Sequence, residues 1–148
     1  SRSFVGNAAE RPCRETLSHT PAGSAAGYAP MAELSTVNGS NVFPSPVLDL
    51  PEADIPLAGI KAYLSQGDSH QIIFMEFAED VELPEHRHAA QWGVVLEGRI
   101  DLTIGGIGKT YRKGDRYFIP EGIMHSGRIH AGYADITFFA KADRYLAK

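Results

Sequence analysis

The chain has 148 residues, with 18 Asp and Glu against 14 Lys and Arg and a formal net charge of −4. That length suits one domain able to bury a core without disulfides or a structural metal, and the single cysteine, Cys13, excludes an internal disulfide framework. No Lys/Arg cluster invites nucleic acid or an acidic membrane and no apolar run reaches membrane-spanning length, so a cytoplasmic protein is the expectation.

Residues 1–30 contain no lysine, few large aliphatics and much Ala, Ser, Gly and Pro, a composition that buries little. They lack the apolar run of a secretory signal. Arg2, Arg11 and Arg14 suit a transit peptide, but Glu10 and Glu15 oppose one. Residues 1–40 are therefore read as a flexible N-terminal extension, with Met31 inside it as a candidate start, and residues 41–148 as a single β-barrel domain. Residues 42–56 are Pro-punctuated and expected to be extended, wrapping the barrel or pairing with a neighbouring subunit, since Asp54 and Pro56 interrupt any helix.

Strand signals then follow one another. Residues 60–64 and 71–78 flank Gln66-Gly67-Asp68 and read as a hairpin. In its second arm, Ile73, Met75 and Phe77 alternate with Ile72, Phe74 and Glu76, which predicts burial on both faces. Residues 92–96 and 99–104 meet at Glu97-Gly98, and the turn Gly105-Gly106-Ile107-Gly108 leads to residues 109–112. Residues 117–119 precede a Pro-x-Gly bend, and residues 133–140 form a last β-rich run. Residues 141–148 are the one candidate for a short helix. About eight short strands with glycines at the corners predict an all-β, antiparallel sandwich or barrel.

Two motifs carry chemistry. The first runs Pro84-Glu85-His86-Arg87-His88-Ala89-Ala90-Gln91 and continues to Gly98. The second runs from Gly114 through Pro120 and Gly122 to His125. Histidines at i and i+2 of an extended segment share one face, and a third returning on a nearby strand completes one side of a metal's coordination sphere. Neutral imidazole suits Zn, Ni, Fe and Cu.

These motifs resemble those of the cupin family, G-x5-H-x-H-x3,4-E-x6-G and G-x5-P-x-G-x2-H-x3-N. Gly114, Pro120, Gly122 and His125 keep every spacing of the second, with Ile129 in place of the closing Asn. His86, His88 and Gly98 match the first, whereas Asp80 stands where its leading glycine falls and Gln91 where its acid falls, one residue early. The resemblance spans residues 57–140. It implies a double-stranded β-helix, or jelly-roll barrel, and one divalent transition metal (Zn, Ni, Mn or Fe) on His86, His88, Gln91 and His125. It also implies a small-molecule ligand or substrate and assembly as a homodimer.

Gln91 in place of glutamate leaves the ion a fuller positive charge if it ligates. Otherwise it hydrogen-bonds a neighbour and leaves a three-histidine site. Asp135 sits in an otherwise apolar run. It either faces the cavity, where burial raises its pKa and fits it for proton transfer, or faces solvent and pairs with Arg99 or Arg116. The segment 135–145 is also similar to the end of the small cupins that open unsaturated uronate sugars. There a last-strand aspartate transfers the proton; Asp135 matches it, while Lys141 replaces that group's arginine and Thr137 its aromatic. Tyr63, Arg99, Tyr111 and Tyr117 are candidates for the cavity mouth, Trp92 for its wall or an interface, and His130 for a contact behind the site. His70 and His19 are read as solvated.

The leading expectation is a metal-dependent isomerase or lyase acting on a small oxygen-rich sugar or organic acid, with Asp135 as the catalytic proton carrier. The alternatives are an Fe(II)-dependent dioxygenase and a non-catalytic small-ligand-binding barrel.

Overall fold

The computed structural model describes residues 42–148; the expected N-terminal extension at 1–40, with Cys13 and His19, lies outside the described residues. Nine strands follow one helical turn: α1 (Ser45–Leu48), β1 (Ile60–Gln66), β2 (Gln71–Phe77), β3 (Val81–His86), β4 (Gln91–Glu97), β5 (Arg99–Ile104), β6 (Ile107–Arg112), β7 (Arg116–Ile119), β8 (His125–Ile129) and β9 (Ala134–Phe139). They form a five-stranded sheet in the order β1-β2-β9-β4-β7 and a four-stranded sheet in the order β3-β8-β5-β6, with every pairing antiparallel. This is the double-sheet jelly roll that the family resemblance implied, among the antiparallel sandwiches and barrels that the strand pattern allowed.

Period-two patterning puts the core between the sheets. Ile73, Met75 and Phe77 of β2 face Ile100 and Leu102 of β5 and Ile129 of β8 within one buried cluster, which also takes in Val95, Ile119 and Phe139. Burying each such side chain contributes about 1.5–3 kcal/mol. The expectation that β2 is buried on both faces is corrected: Ile72, Phe74 and Glu76 are only half-buried. That face is the outside of the five-stranded sheet, where Phe43 covers Phe74 edge-on at 5.6 Å.

Two segments depart from their expected local structure. The 42–56 stretch, expected to be extended, holds the single turn α1, with Pro46 in its first turn, where a missing N–H costs nothing. It then straightens to bridge Tyr63 through Glu52 and Ala147 through Ala53. Residues 141–148 form turns and no helix. Side chains of the β1–β2 hairpin take the backbone groups a helix would need. Gln71 donates from Nε2 to the Tyr145 carbonyl (2.8 Å) and accepts the Tyr145 N–H at Oε1 (3.0 Å), while Gln66 Nε2 donates to the Ala142 carbonyl (2.7 Å). The tail is thereby laid beside the strap at 52–57, with the Asp54 N–H on the Leu146 carbonyl and Lys148 paired with Glu52. Strap and tail together form a rim at one end of the barrel.

No helix among the described residues is long and apolar enough to cross a membrane.

Candidate metal centre and its cavity

His86 closes β3 and pairs in register with His125, which opens β8. The strand ends there, so His88 reaches the same place through the following loop and not as a strand neighbour of His86. Its carbonyl accepts the Gly122 N–H at 3.0 Å, and Gly122 holds φ at +72°, a conformation that glycine adopts without strain. The Pro-x-Gly bend thus ties His125 to His88. One ring nitrogen from each of the three histidines falls within 4.8 Å of the others.

The ring orientations are fixed from behind. His86 Nδ1 lies 2.7 Å from the Pro84 carbonyl, His88 Nδ1 2.7 Å from that of Ala89 and His125 Nδ1 2.9 Å from that of Ile123. A carbonyl only accepts, so each Nδ1 carries the proton and each Nε2 presents a lone pair. The Nε2 atoms of His88 and His125 face each other at 3.0 Å. Burial disfavours imidazolium in both, lowering the pKa of His88 to about 4 and that of His125 also below its ordinary value. Two neutral acceptors at that separation repel unless a cation lies against both. This donor set fits a transition ion, with each ring's far N–H anchored on backbone as metal-binding histidines require.

The histidines line a cavity of ≈ 360 Å³ between the sheets, together with Gln91, Tyr117, Asp135 and Arg144. Gln91 Nε2 donates to Tyr117 Oη at 3.3 Å, which leaves its Oε1, the atom able to ligate, without a protein partner among the described residues. Asp135 is 2% exposed. Its Oδ2 accepts from Tyr133 Oη (2.7 Å) and Tyr117 Oη (3.0 Å), while its buried Oδ1 has no partner. Burial raises its pKa to about 6, although the hydroxyl donors pull the other way. Both phenols are pushed above their ordinary range by burial and by the neighbouring carboxylate. Tyr117 reaches Asp135 because Gly93 opposes it across β4–β7; a Cβ at Gly93 would come within 2.2 Å of the phenol ring.

Of the remaining candidates, Tyr117 alone enters the cavity. Tyr63 is buried in β1 and Tyr111 packs edge-on against Tyr117. Arg99 and Asp101 hold His130 at 3.1 and 2.7 Å, away from the cavity walls. Trp92 is 41% exposed on the outer face of the five-stranded sheet, and His70 stacks on Phe138 at 5.1 Å. Lys141 is exposed and pairs with Asp143. The cation that lines the cavity is Arg144, which motif spacing did not reveal. No local pattern could have revealed it, because its position depends on the side chains of Gln71 and Gln66, more than seventy residues earlier in the chain.

Residues 73–136 match the family model described as a cupin domain. No curated protein matches the sequence. Among solved structures, an RmlC-like cupin from Shewanella frigidimarina is 23% identical over 64% of this chain and 86% of its own, with a TM-score of 0.56. KdgF from Halomonas sp. is 18% identical over 62% of this chain and 87% of its own, with a TM-score of 0.53. A mutant of Bacillus subtilis oxalate decarboxylase is 18% identical over 66% of this chain and 29% of its own, with a TM-score of 0.55. At these identities the likeness speaks for the fold.

Proposed function

The chain belongs to the cupin superfamily, and from that premise we propose that it is a metal-dependent isomerase or lyase acting on a small organic molecule. His86, His88 and His125 would hold one divalent transition ion (Zn, Ni, Mn or Fe), and Gln91 Oε1 would be the fourth protein donor. The observation that carries this reading is the convergence of three backbone-anchored imidazoles on a cavity that also contains a buried carboxyl group with one free oxygen.

A bound divalent ion supplies Lewis-acid polarisation of a substrate carbonyl or hydroxyl oxygen. The protein supplies the proton transfer. With an α-hydroxy carbonyl substrate, Asp135 Oδ1 would take the proton from the α-carbon and return it to the former carbonyl carbon, while the α-hydroxyl proton passes to the former carbonyl oxygen. No oxidant is needed, and the proton count is unchanged. Tyr117 and Tyr133, donating to Oδ2, hold the carboxyl group so that Oδ1 faces the substrate. A carboxyl pKa near 6 is close enough to neutrality for both directions of transfer.

Elemental analysis of protein purified without a metal-affinity step tests the centre, with near one ion per chain expected and loss in His86→Ala and His125→Ala. Deuterium incorporation into a panel of carbonyl substrates, dependent on metal and abolished in Asp135→Asn, tests the chemistry. Failure to take up any of the four metals overturns the reading. Iron accompanied by oxygen consumption moves it to the dioxygenase class.

The homodimer belongs to the same proposal. Phe138 lies opposite both Ile72 and Trp92, and Trp92 opposite Phe118, so one row of large apolar side chains crosses the outer face of the five-stranded sheet. Trp92, Phe118 and Phe138 are 41%, 56% and 37% exposed, a patch of the kind that marks an interface.

A further inference from the structure

Arg144 lines the cavity, yet its Nε is buried without an acceptor. None of the ion pairs among the described residues includes it. The one acid in its own segment, Asp143, is engaged by Lys141. Its guanidinium lies 4.8 Å from the Tyr145 ring centroid and 5.8 Å from that of Phe139, contacts that orient the group and satisfy none of its N–H donors. A buried donor left in this state is costly, more so when charged.

The backbone that carries the group is also held in place. Tyr145, next in sequence, is fixed through both its N–H and its carbonyl by Gln71, which is wholly buried, and Ala142 is held by Gln66. A guanidinium carried on fixed backbone, set against two aromatic rings and lacking a protein carboxylate, matches a carboxylate on a ligand.

The remaining walls limit what that ligand can be. Ile55, Leu57, Met75, Leu83, Ile100 and Leu102 are representative of them, and no Ser, Thr, Asn or Lys contributes. The polar side chains lie in two places, the histidine group with Gln91, Tyr117 and Asp135, and Arg144 with Tyr145 on the tail. A polyhydroxylated sugar acid entering here would lay hydroxyls against aliphatic side chains, with a penalty for each one left unpaired.

We propose that the ligand is a small carboxylic acid with an apolar body, its carboxylate on Arg144, its body against the aliphatic walls and its reacting oxygen toward the histidines. This rests on the reading above only in taking the histidine end as the site of chemistry. Of the sugar and organic-acid substrates expected from the sequence, it selects the acid.

Calorimetric titration of the full chain, metal-free and zinc-loaded, tests this with three probes: 4-methyl-2-oxopentanoate, the uncharged 4-methyl-2-pentanone, and galacturonate. The oxo acid is expected to bind about tenfold or more tightly than galacturonate, and Arg144→Gln to weaken the oxo acid by a similar factor while leaving the ketone unchanged. Arg144→Lys, which keeps the charge without the fork, is expected to fall between. Circular dichroism and zinc content of the variants establish that the fold and the histidines are intact. Galacturonate binding as tightly as the oxo acid overturns the apolar body. An Arg144→Gln effect that is absent, or equal for acid and ketone, overturns the anchor, and so does a failure of the oxo acid to bind either form. Zinc that does not bind, alongside Arg144-dependent acid binding in metal-free protein, overturns the metal reading and leaves this one standing.

Discussion

The Nε2 atoms of His88 and His125 stand 3.0 Å apart while both Nδ1 atoms are turned to backbone carbonyls. The arrangement is repulsive without a cation and favourable with one, so metal should stabilise the folded chain. At a free zinc concentration about 100 times its dissociation constant, the gain is expected to be about 3 kcal/mol. Thermal melts with zinc and with chelator check this. His125→Ala should remove the response, and its chelator-treated form should melt no lower than the chelator-treated wild type, because one repelling partner is gone.

Asp135 gives a stability signature whose sign follows from its burial. Its folded pKa is raised from 3.8 to about 6. Below about pH 4 it is protonated in both states. As pH rises through 4 to 6 the unfolded chain releases that proton first, so folded stability falls. At about 1.4 kcal/mol per unit the loss by pH 7 is about 3 kcal/mol. Asp80 and Asp101, whose pKa values are lowered by hydrogen bonds, act in the opposite direction but are present in both proteins of a comparison. Denaturant titrations of metal-free wild type and Asp135→Asn should therefore show a stability difference that shifts toward the variant across this window. A difference independent of pH would mean that the carboxyl group is already ionised in the acid range.

Most of the barrel was legible because it depends on alternation and on glycine-marked corners, both local in sequence. β5 occupies the residues expected of it, and β1 and β2 pair as the expected hairpin. β8 was not legible: His125-Ser126-Gly127-Arg128-Ile129 carries weak strand propensity and becomes a strand because β3 and β5 pair on either side of it. The histidines could be found from spacing, since the second motif is a tight turn whose geometry fixes its residue types. Asp135 could be singled out as a charge in an apolar run, but its place in the cavity rests on bonds from Tyr133, two residues before it, and from Tyr117, two strands away in the same sheet. Arg144 and the tail lay beyond any local pattern. A helix was expected there because the residues permit one, and two glutamine side chains from a distant hairpin outcompete it.

The aromatic row on the five-stranded sheet gives the homodimer a direct test. A stable interface buries about 800 Å² per partner, and Trp92 and Phe118, paired at the β7 edge of the sheet, are the most exposed members of the row. Replacing Phe118, the most exposed of the row, by lysine should convert a dimer to a monomer in light-scattering measurements, with metal content unchanged because the side chain points away from the cavity. A wild-type chain that is monomeric at high concentration removes the dimer from the proposal.

Gln71 offers the last test, because it links the hairpin to the tail. Its side chain is fully buried, and both ends of its amide are used on the same residue, Tyr145, with a further bond from Nε2 to Gln66 Oε1 at 2.8 Å. Replacing it with leucine keeps the volume but leaves the Tyr145 N–H and carbonyl unpaired in a buried place, so a loss of about 2–4 kcal/mol is expected. The larger effect should be local. The tail would detach from β2 before the barrel unfolds, and amide exchange at Tyr145 and Leu146 should accelerate well beyond that of β5. Arg144 would then lose its fixed position. Gln71→Leu should therefore weaken binding of 4-methyl-2-oxopentanoate while zinc uptake by the histidines stays intact. If exchange accelerates uniformly across the barrel, the tail is an integral part of the core and does not move independently at the rim.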